Sequence, residues 1–488
     1  MIAGTRGQAR RWSLLGAALA LAPSGAGAQS LDIAPSYDPS LADQYPFARL
    51  NDIVPADTEA RRALARNLAF DATIYGTAAV LEYRQLYQQA VDRSDPQFTG
   101  FNAFAHGRTL AAPGYKAFKT PNADTLYSNA WLDLRDGPVL FDVPDTGGRY
   151  FTANFLDIYG NATNISARTH GTSGGRYLVA TTDWKGDVPE GATLFRVTTA
   201  FTWILLRVLV QEKKDDLHVA NALQDKFRLT PMNPPSLSAN FPDGHDQSAS
   251  GFMRVLDFLL RTCGHPMRED ALVSRFRSIG IAGHSRFDDI LADQSLRTGI
   301  DQGFAEARKV IDASMGQNGK RLGAWSQPTD IGRYGFNYLY RSAVTTLGTG
   351  ANVIEENHPF TSFVDSAGAH LDGSLGDYRL VLSPPPPARF FWSVTVYDAA
   401  TRELYPNALG RYMVGDRTPG LKRGKDGSVT ILFSHRPDVV GKSPNILPVP
   451  AAPFYVAIRA QGPEPALSNG EWRPAAIEQI PGVLDRRK

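Results

Sequence analysis

Two stretches of this chain break into short β-forming segments punctuated by turn residues, and they resemble each other. In the first, from about Phe101 to Val210, turns at Pro113-Gly114, Asp136-Gly137-Pro138, Gly147-Gly148, Gly174-Gly175 and Pro189-Glu190-Gly191 separate short apolar runs such as Val139–Val143 and Tyr150–Leu156. The second runs from about Tyr378 to Ile458 and includes Phe390–Tyr397 and Phe454–Ile458. Short strands at regular spacing with turn signals between them imply a sandwich or a barrel. Pro144-Asp-Thr-Gly-Gly-Arg-Tyr-Phe151 leads into a strand ending at Asp157, and Pro386-Pro-Ala-Arg-Phe-Phe391 leads into one ending at Asp398. That parallel suggests a duplication. It predicts that Phe390–Tyr397 occupies the place in its unit that Tyr150–Asp157 occupies in the first.

Helical patterns lie before and between these stretches. Asp57 to Asp92 carries apolar residues at helical spacing, with Asp57 or Thr58 as cap and Gly76 as a candidate break. After a Pro- and Ser-rich link at 230–246, amphipathic patterns recur at 251–260, 268–279, 286–293, 296–315 and 335–347. The fold class expected is multi-domain α+β, with two antiparallel sandwiches and helices before and between them. The expected boundaries are 29–97 (helical), 98–230 (first sandwich), 231–350 (helical) and 351–488 (second sandwich).

Residues 1–28 read as an export signal: Arg6, Arg10 and Arg11, then the apolar run Leu14–Ala22, then Ala26-Gly27-Ala28 before Gln29. Nine apolar residues do not span a bilayer, which needs about 20, and no later run is long enough. The expected location is periplasmic or secreted. The signal takes three of the 51 basic residues and none of the 49 acidic ones, leaving the mature chain with one net negative charge. Such a balance gives no electrostatic case for nucleic acid or anionic lipid as a partner. The single cysteine, Cys263, excludes an internal disulfide and a cysteine-based zinc cluster.

The stretch densest in chemistry is Lys119-Thr-Pro-Asn-Ala-Asp-Thr-Leu-Tyr-Ser-Asn-Ala-Trp131. It starts as a Pro-Asn turn and continues as a strand from Thr125. Asn122, Asp124, Thr125, Tyr127, Ser128 and Asn129 crowd hydrogen-bonding side chains into a segment that a plain strand would not need. Two readings stand: Asp124 caps a turn, or the segment forms a ligand or catalytic site. Asp157 and Asp398 end strands in the two stretches, and a pair of carboxylates can serve as acid and base. The alternative is that each fixes a turn or pairs with Arg149, Arg168 or Arg389. Arg168, Arg207, Arg411 and Arg459 lie in or beside strands, where arginine clamps carboxylates or phosphates or else forms ordinary ion pairs. The catalytic candidates are therefore Asp124, Tyr127, Asp157 and Asp398. The substrate-binding candidates are Asn122, Thr125, Tyr159, Trp392, Asn407 and Arg411, where aromatic rings beside amides make a platform for a sugar-like or other small-molecule ligand. No phosphate loop, dinucleotide fingerprint, nucleophile elbow or metal-binding histidine spacing occurs, so no cofactor and no metal is expected.

Pro121-Asn-Ala-Asp-Thr-Leu-Tyr-Ser128, Gly148-Arg-Tyr-Phe151, Leu156-Asp-Ile-Tyr159, Asp372-Gly-Ser374, Phe391-Trp-Ser-Val-Thr-Val-Tyr-Asp398 and Gly424-Lys-Asp-Gly-Ser428 occur in this order. On these motifs the chain resembles an exported family built from two domains of unknown function, numbered 1254 (about 98–211) and 1214 (about 372–477). The resemblance implies tandem jelly-roll-like sandwiches and no settled chemistry. The chain departs from the family pattern at Asn445-Ile-Leu-Pro448, where Trp is expected after Asn, and at Glu355-Glu-Asn-His-Pro-Phe360. The function expected is a metal-free acid–base enzyme, a hydrolase or lyase on a small polar or sugar-like compound. The alternative is a non-catalytic ligand-binding or structural envelope protein.

Overall fold

The computed structural model describes residues 54–115, 119–211, 213–234, 240–282, 287–317, 319–436 and 442–480. The expected export signal lies outside them. Helix α1 (Thr58–Leu86) starts at the expected cap: the Asp57 carboxylate accepts a hydrogen bond from the Ala60 N–H at 2.8 Å. Gly76 does not break the helix. It lies on the buried face, where a Cβ would press within 2.8 Å of the Leu256 side chain, so the missing side chain serves close packing. The helix runs into a π-helical turn, Tyr87–Val91.

The first β region follows. Its strands are β1 (Ala105–His106), β2 (Thr125–Asp133), β3 (Val139–Val143), β4 (Phe151–Asp157), β5 (Ala162–Ser166), β6 (Gly175–Thr181), β7 (Ala192–Val197) and β8 (Phe201–Leu209). After helix α2 (Asp216–Gln224) comes β9 (Arg228–Pro231). They form a five-stranded sheet, β1-β2-β8-β4-β5, and a four-stranded sheet, β7-β6-β3-β9. Helices α3 (Ala249–Cys263) and α4 (Gln294–Ser314) pack with α1. A hairpin, β10 (Lys320–Leu322) and β11 (Trp325–Gln327), precedes α5 (Tyr338–Leu347). This hairpin falls between the expected helical patterns at 296–315 and 335–347 and extends the second β region's larger sheet.

That second region comprises β12 (Asn357–Ser362), β13 (Asp377–Leu382), β14 (Ala388–Asp398), β15 (Met413–Gly415), β16 (Val429–Ser434), β17 (Ile446–Pro448), β18 (Phe454–Pro463) and β19 (Glu478–Ile480). Its sheets are ordered β10-β11-β12-β18-β14-β15 and β17-β16-β13-β19. Strand by strand, β2 to β9 correspond to β12 to β19, with the same neighbours and the same directions. Strand β14 therefore stands where β4 stands, as expected from the shared turn-Arg-aromatic lead. The sheets are not wholly antiparallel. Strands β6 and β7 run parallel, as do β16 and β17. A tight hairpin cannot join parallel neighbours; here the connection 182–191 carries the chain back to the same end of the sheet.

Each pair of sheets shares one apolar core. In the first, Leu126, Ala130, Phe155, Ile204 and Leu206 meet Val139, Phe141 and Val179. In the second, Val394, Val456 and Ile458 meet Leu380, Ile431 and Phe433. Side chains alternate along strands, so each larger sheet has a second face that its partner sheet does not cover. On the first sheet, that face is apolar at one end (Trp131, Trp203, Leu156 and Ala162) and α1 and α3 pack there. At the other end it is polar: Tyr127, Arg207, Thr152 and Ser166 lie side by side across four strands. Next to them, Asn129, Leu205, Asn154 and Asn164 form a parallel row.

Candidate functional site

The polar end of the first sheet meets the outer face of the second region's larger sheet, and the turn before β2 lies between them. Thr120 and Pro121 hold the two together: the Tyr397 hydroxyl donates to the Pro121 carbonyl at 2.6 Å, and Arg459 Nη2 donates to the Thr120 carbonyl at 3.0 Å. The Thr120 and Tyr455 hydroxyls are 2.8 Å apart. Ala111 and Ala123 pack with Tyr397, Leu404, Tyr455 and Ala457 in one small apolar cluster. The segment from α5 to β12 crosses the polar rows, so that Arg207 Nη2 donates to the Gly350 carbonyl at 2.7 Å and Asn154 Nδ2 to that of Ala351 at 3.1 Å.

Two arginines are buried at this junction, Arg207 and Arg459, each 7% exposed. Neither forms an ion pair with a described residue, and Arg207 Nη1 is buried without a hydrogen-bond partner. Arg459 Nη1 donates to the Tyr397 hydroxyl at 2.8 Å. Burial works against the Arg459 charge, but Tyr397, Tyr127 and Asp124 outweigh it and hold its pKa above the usual value. The Arg207 guanidinium lies 5.4 Å from the centre of the Tyr127 ring, a cation–π contact.

Asp124 sits one residue before β2, 2% exposed, with Oδ1 buried and without a partner. Its backbone carbonyl accepts from the Val210 N–H at 3.0 Å. The Tyr127 hydroxyl turns back to accept from the Asn122 N–H at 2.8 Å. Thr125 Oγ1 is also buried without a partner. Beside them, Tyr150 donates to Glu356 Oε1 at 2.8 Å, and Glu356 Oε2 accepts from Ser166 and Arg168, each at 2.9 Å. Burial pushes the Tyr150 hydroxyl far up; Glu356 adds to the shift, Arg207 opposes it and Asp124 reinforces it. The Glu355-Glu356 segment, where the chain departs from the family pattern, thus contributes a fully buried carboxylate to this junction.

A cavity of about 300 Å³ lies against Tyr127, walled by Tyr115, Trp131, Asn129, His106 and Gln89. Gln89 belongs to the π-helical turn and accepts from Trp131 Nε1 at 2.9 Å. Such turns concentrate at functional sites. Burial, with help from Arg108, lowers the pKa of His106, whose Nδ1 lies 2.8 Å from the Ser128 hydroxyl.

Of the residues singled out in the sequence, Asn122, Asp124, Thr125 and Tyr127 come together here. The others lie elsewhere. The Asp157 carboxylate accepts from the Tyr159 and Asn161 N–H groups at 2.9 and 2.8 Å, from Asn161 Nδ2 at 3.0 Å and from Thr198 at 2.9 Å. Asp398 accepts from the Ala400 and Thr401 N–H groups at 3.0 and 2.8 Å. Each therefore holds the turn that follows its strand. Tyr159 donates to the Gly264 carbonyl and, with Tyr75 and Tyr338, surrounds the Arg341 guanidinium at 5.1–5.5 Å. Trp392 points into the second core. Asn407 bonds the backbone of Tyr405 and Arg411, and Arg411 reaches the carbonyls of Ser443 and Ile446 at 2.8 and 3.0 Å. Tyr150, Glu356 and Tyr115 were not among the site candidates. The signal for the arginines was their presence inside the otherwise apolar runs 203–209 and 454–460. Among the described residues, no group of three or more His, Cys, Asp or Glu side chains is placed to hold a metal ion. No helix among the described residues is long and apolar enough to cross a membrane.

The VPA0106 protein from Vibrio parahaemolyticus, known from a crystal structure, is similar to this chain with a TM-score of 0.67 and 26% identity over 86% of this chain and 100% of its own. A putative uncharacterized protein from Burkholderia cenocepacia aligns over 90% of this chain and 96% of its own, at 12% identity and a TM-score of 0.41. No curated protein matches the chain. The model for the protein of unknown function DUF1254 matches residues 101–231, and that for DUF1214 matches residues 356–465. The chain belongs to the family built from these two domains in tandem.

Proposed function

We propose that this is a periplasmic or secreted enzyme of acid–base type, a hydrolase or lyase acting on a small polar compound bound in the cavity beside the junction of the two β regions. Asp124 carries the proton and Tyr127 orients the substrate. The observation behind this reading is the Asp124 carboxylate, with one oxygen buried and without a hydrogen-bond partner. A turn cap spends its oxygens on backbone N–H groups, as Asp157 and Asp398 do. A buried carboxylate that does not is a candidate for chemistry. The adjoining cavity supplies rings and amides suited to a polar or sugar-like compound. In this reading the two β regions are a duplicated jelly-roll-like unit, and their meeting faces make the site.

The second reading, ligand binding without turnover, draws on the cavity alone: Tyr115, Tyr127 and Trp131 would hold a ring without chemistry. The test is a screen of small polar compounds by thermal shift and turnover, followed by Asp124→Asn. An acid–base role predicts a folded variant whose turnover falls by about 10²–10⁴. Retained turnover in a folded Asp124→Asn protein would end the catalytic assignment. N-terminal sequencing of the exported form tests localisation, with Gln29 expected first.

A further inference from the structure

Aligning the two larger sheets on Asp157 and Asp398 brings Thr202 onto Phe454, because each pairs with its aspartate across the neighbouring strand. The same register then brings Arg207 onto Arg459 and Thr152 onto Ser393. Both arginines point away from their own cores, into the layer where the two regions meet. The charges of that layer do not balance. Glu356 is paired with Arg168 at 2.9 Å. Asp124 remains as the carboxylate acting on Arg459 and Tyr150, against two guanidiniums. The cluster therefore keeps one excess positive charge, and Arg207 Nη1 is a buried donor without an acceptor. A buried cation without a counter-charge is costly unless something meets it.

We propose that Arg207 and Arg459 are the two arms of a buried binding site for the carboxylate of a small organic acid. The proposal rests on the reading that a ligand enters between the β regions, but not on any turnover. A carboxylate fits better than a phosphate on two grounds. One negative charge at the guanidiniums balances the excess, whereas a phosphate dianion would put both of its charges on one group beside Asp124; the second carboxylate of succinate can lie away from it, in the cavity. Planar guanidinium donors also match a carboxylate's two oxygens. Tyr127 both packs against Arg207 and lines the cavity, so the acid group would meet the arginines beside Tyr127 while the rest of the molecule occupies the cavity.

The experiment is thermal unfolding of the mature protein in acetate, succinate, phosphate or chloride at equal ionic strength, with Arg207→Gln, Arg459→Gln and Asp124→Asn alongside. Acetate and succinate are expected to raise the midpoint by about 3 °C at a hundredfold excess over Kd, with phosphate and chloride well below them. Either arginine variant should lose that rise. If those variants do not fold, Asp124→Asn decides: removing the competing charge should tighten succinate binding by on the order of tenfold. Equal midpoints in all four salts, a phosphate effect matching the carboxylates, or an Asp124→Asn protein with unchanged succinate affinity would each overturn the proposal. Carboxylate binding without turnover of any compound would keep this site and remove the enzyme. Turnover of an uncharged compound with no carboxylate effect would do the reverse.

Discussion

Arg207 and Arg459 occupy the same position in two sheets of the same topology, opposite Thr152 and Ser393 respectively, and both are buried where those sheets face each other. Their surroundings differ. Each donates to a backbone carbonyl, Arg459 to Thr120 at 3.0 Å and Arg207 to Gly350 at 2.7 Å, but Arg459 also has the Tyr397 hydroxyl at 2.8 Å, while Arg207 Nη1 has no partner.

Tyr397→Phe isolates that difference. The hydroxyl accepts from Arg459 and donates to Pro121. Its loss leaves a buried guanidinium N–H and a carbonyl unmet, which should cost about 1–3 kcal/mol. Urea unfolding measures this, and a change under about 0.5 kcal/mol would mean that the junction contributes little to stability.

A second buried cluster, at the far end of the first sheet, should give the protein a pH-dependent stability. Burial pushes the Glu82 carboxyl up to about 8, with the Asp157 charge adding to the shift, and Glu82 Oε2 has no hydrogen-bond partner. A carboxyl raised in the folded state binds more protons there than in the unfolded chain. Its stabilising contribution is therefore full below the ordinary carboxyl range and is lost as pH rises through about 8. The slope from this group is at most about 1.4 kcal/mol per pH unit. Melting curves at pH 6, 7.5 and 9 should fall less for Glu82→Gln than for the native protein. Parallel curves would show that Glu82 ionises normally.

Gly303 tests the helical layer. Alanine in a helix interior is ordinarily better than glycine by about 1 kcal/mol. Here a Cβ would overlap the Arg66 carbonyl of α1, and backbone cannot move aside as a side chain can. Overpacking of this kind costs about 1–3 kcal/mol, so Gly303→Ala should lower the melting temperature. A rise would show that α1 and α4 are packed less closely than described.

Some of this was legible in the sequence for physical reasons that hold locally. The Pro121-Asn122 turn, the start of β2 at Thr125 and the Asp57 cap depend on residues within a few positions of one another. The correspondence of β4 with β14 was legible because both follow the same turn, arginine and aromatic pair. The density of polar side chains from Asn122 to Asn129 marked the junction. What the sequence could not separate was Asp124 from Asp157 and Asp398. All three precede or follow turns, and only the structure shows that two of them spend their oxygens on backbone N–H groups while the third does not. Arg207 and Arg459 stood out in apolar runs. Their neighbours, Gly350 and Thr120, are 143 and 339 residues away, a separation that no local pattern reports. The parallel pairing of β6 with β7 was likewise hidden, because a loop's length does not fix its direction.

The most direct measurement is a crystal structure of the mature protein soaked in succinate to saturation. Difference density for a carboxylate within about 3 Å of the Arg207 and Arg459 guanidiniums, with the rest of the acid passing Tyr127 into the cavity, is the expected result. Density at that place explained by water alone, with Arg207 still bonded to Gly350 and Arg459 to Tyr397 and Thr120, would contradict a ligand site between the two β regions.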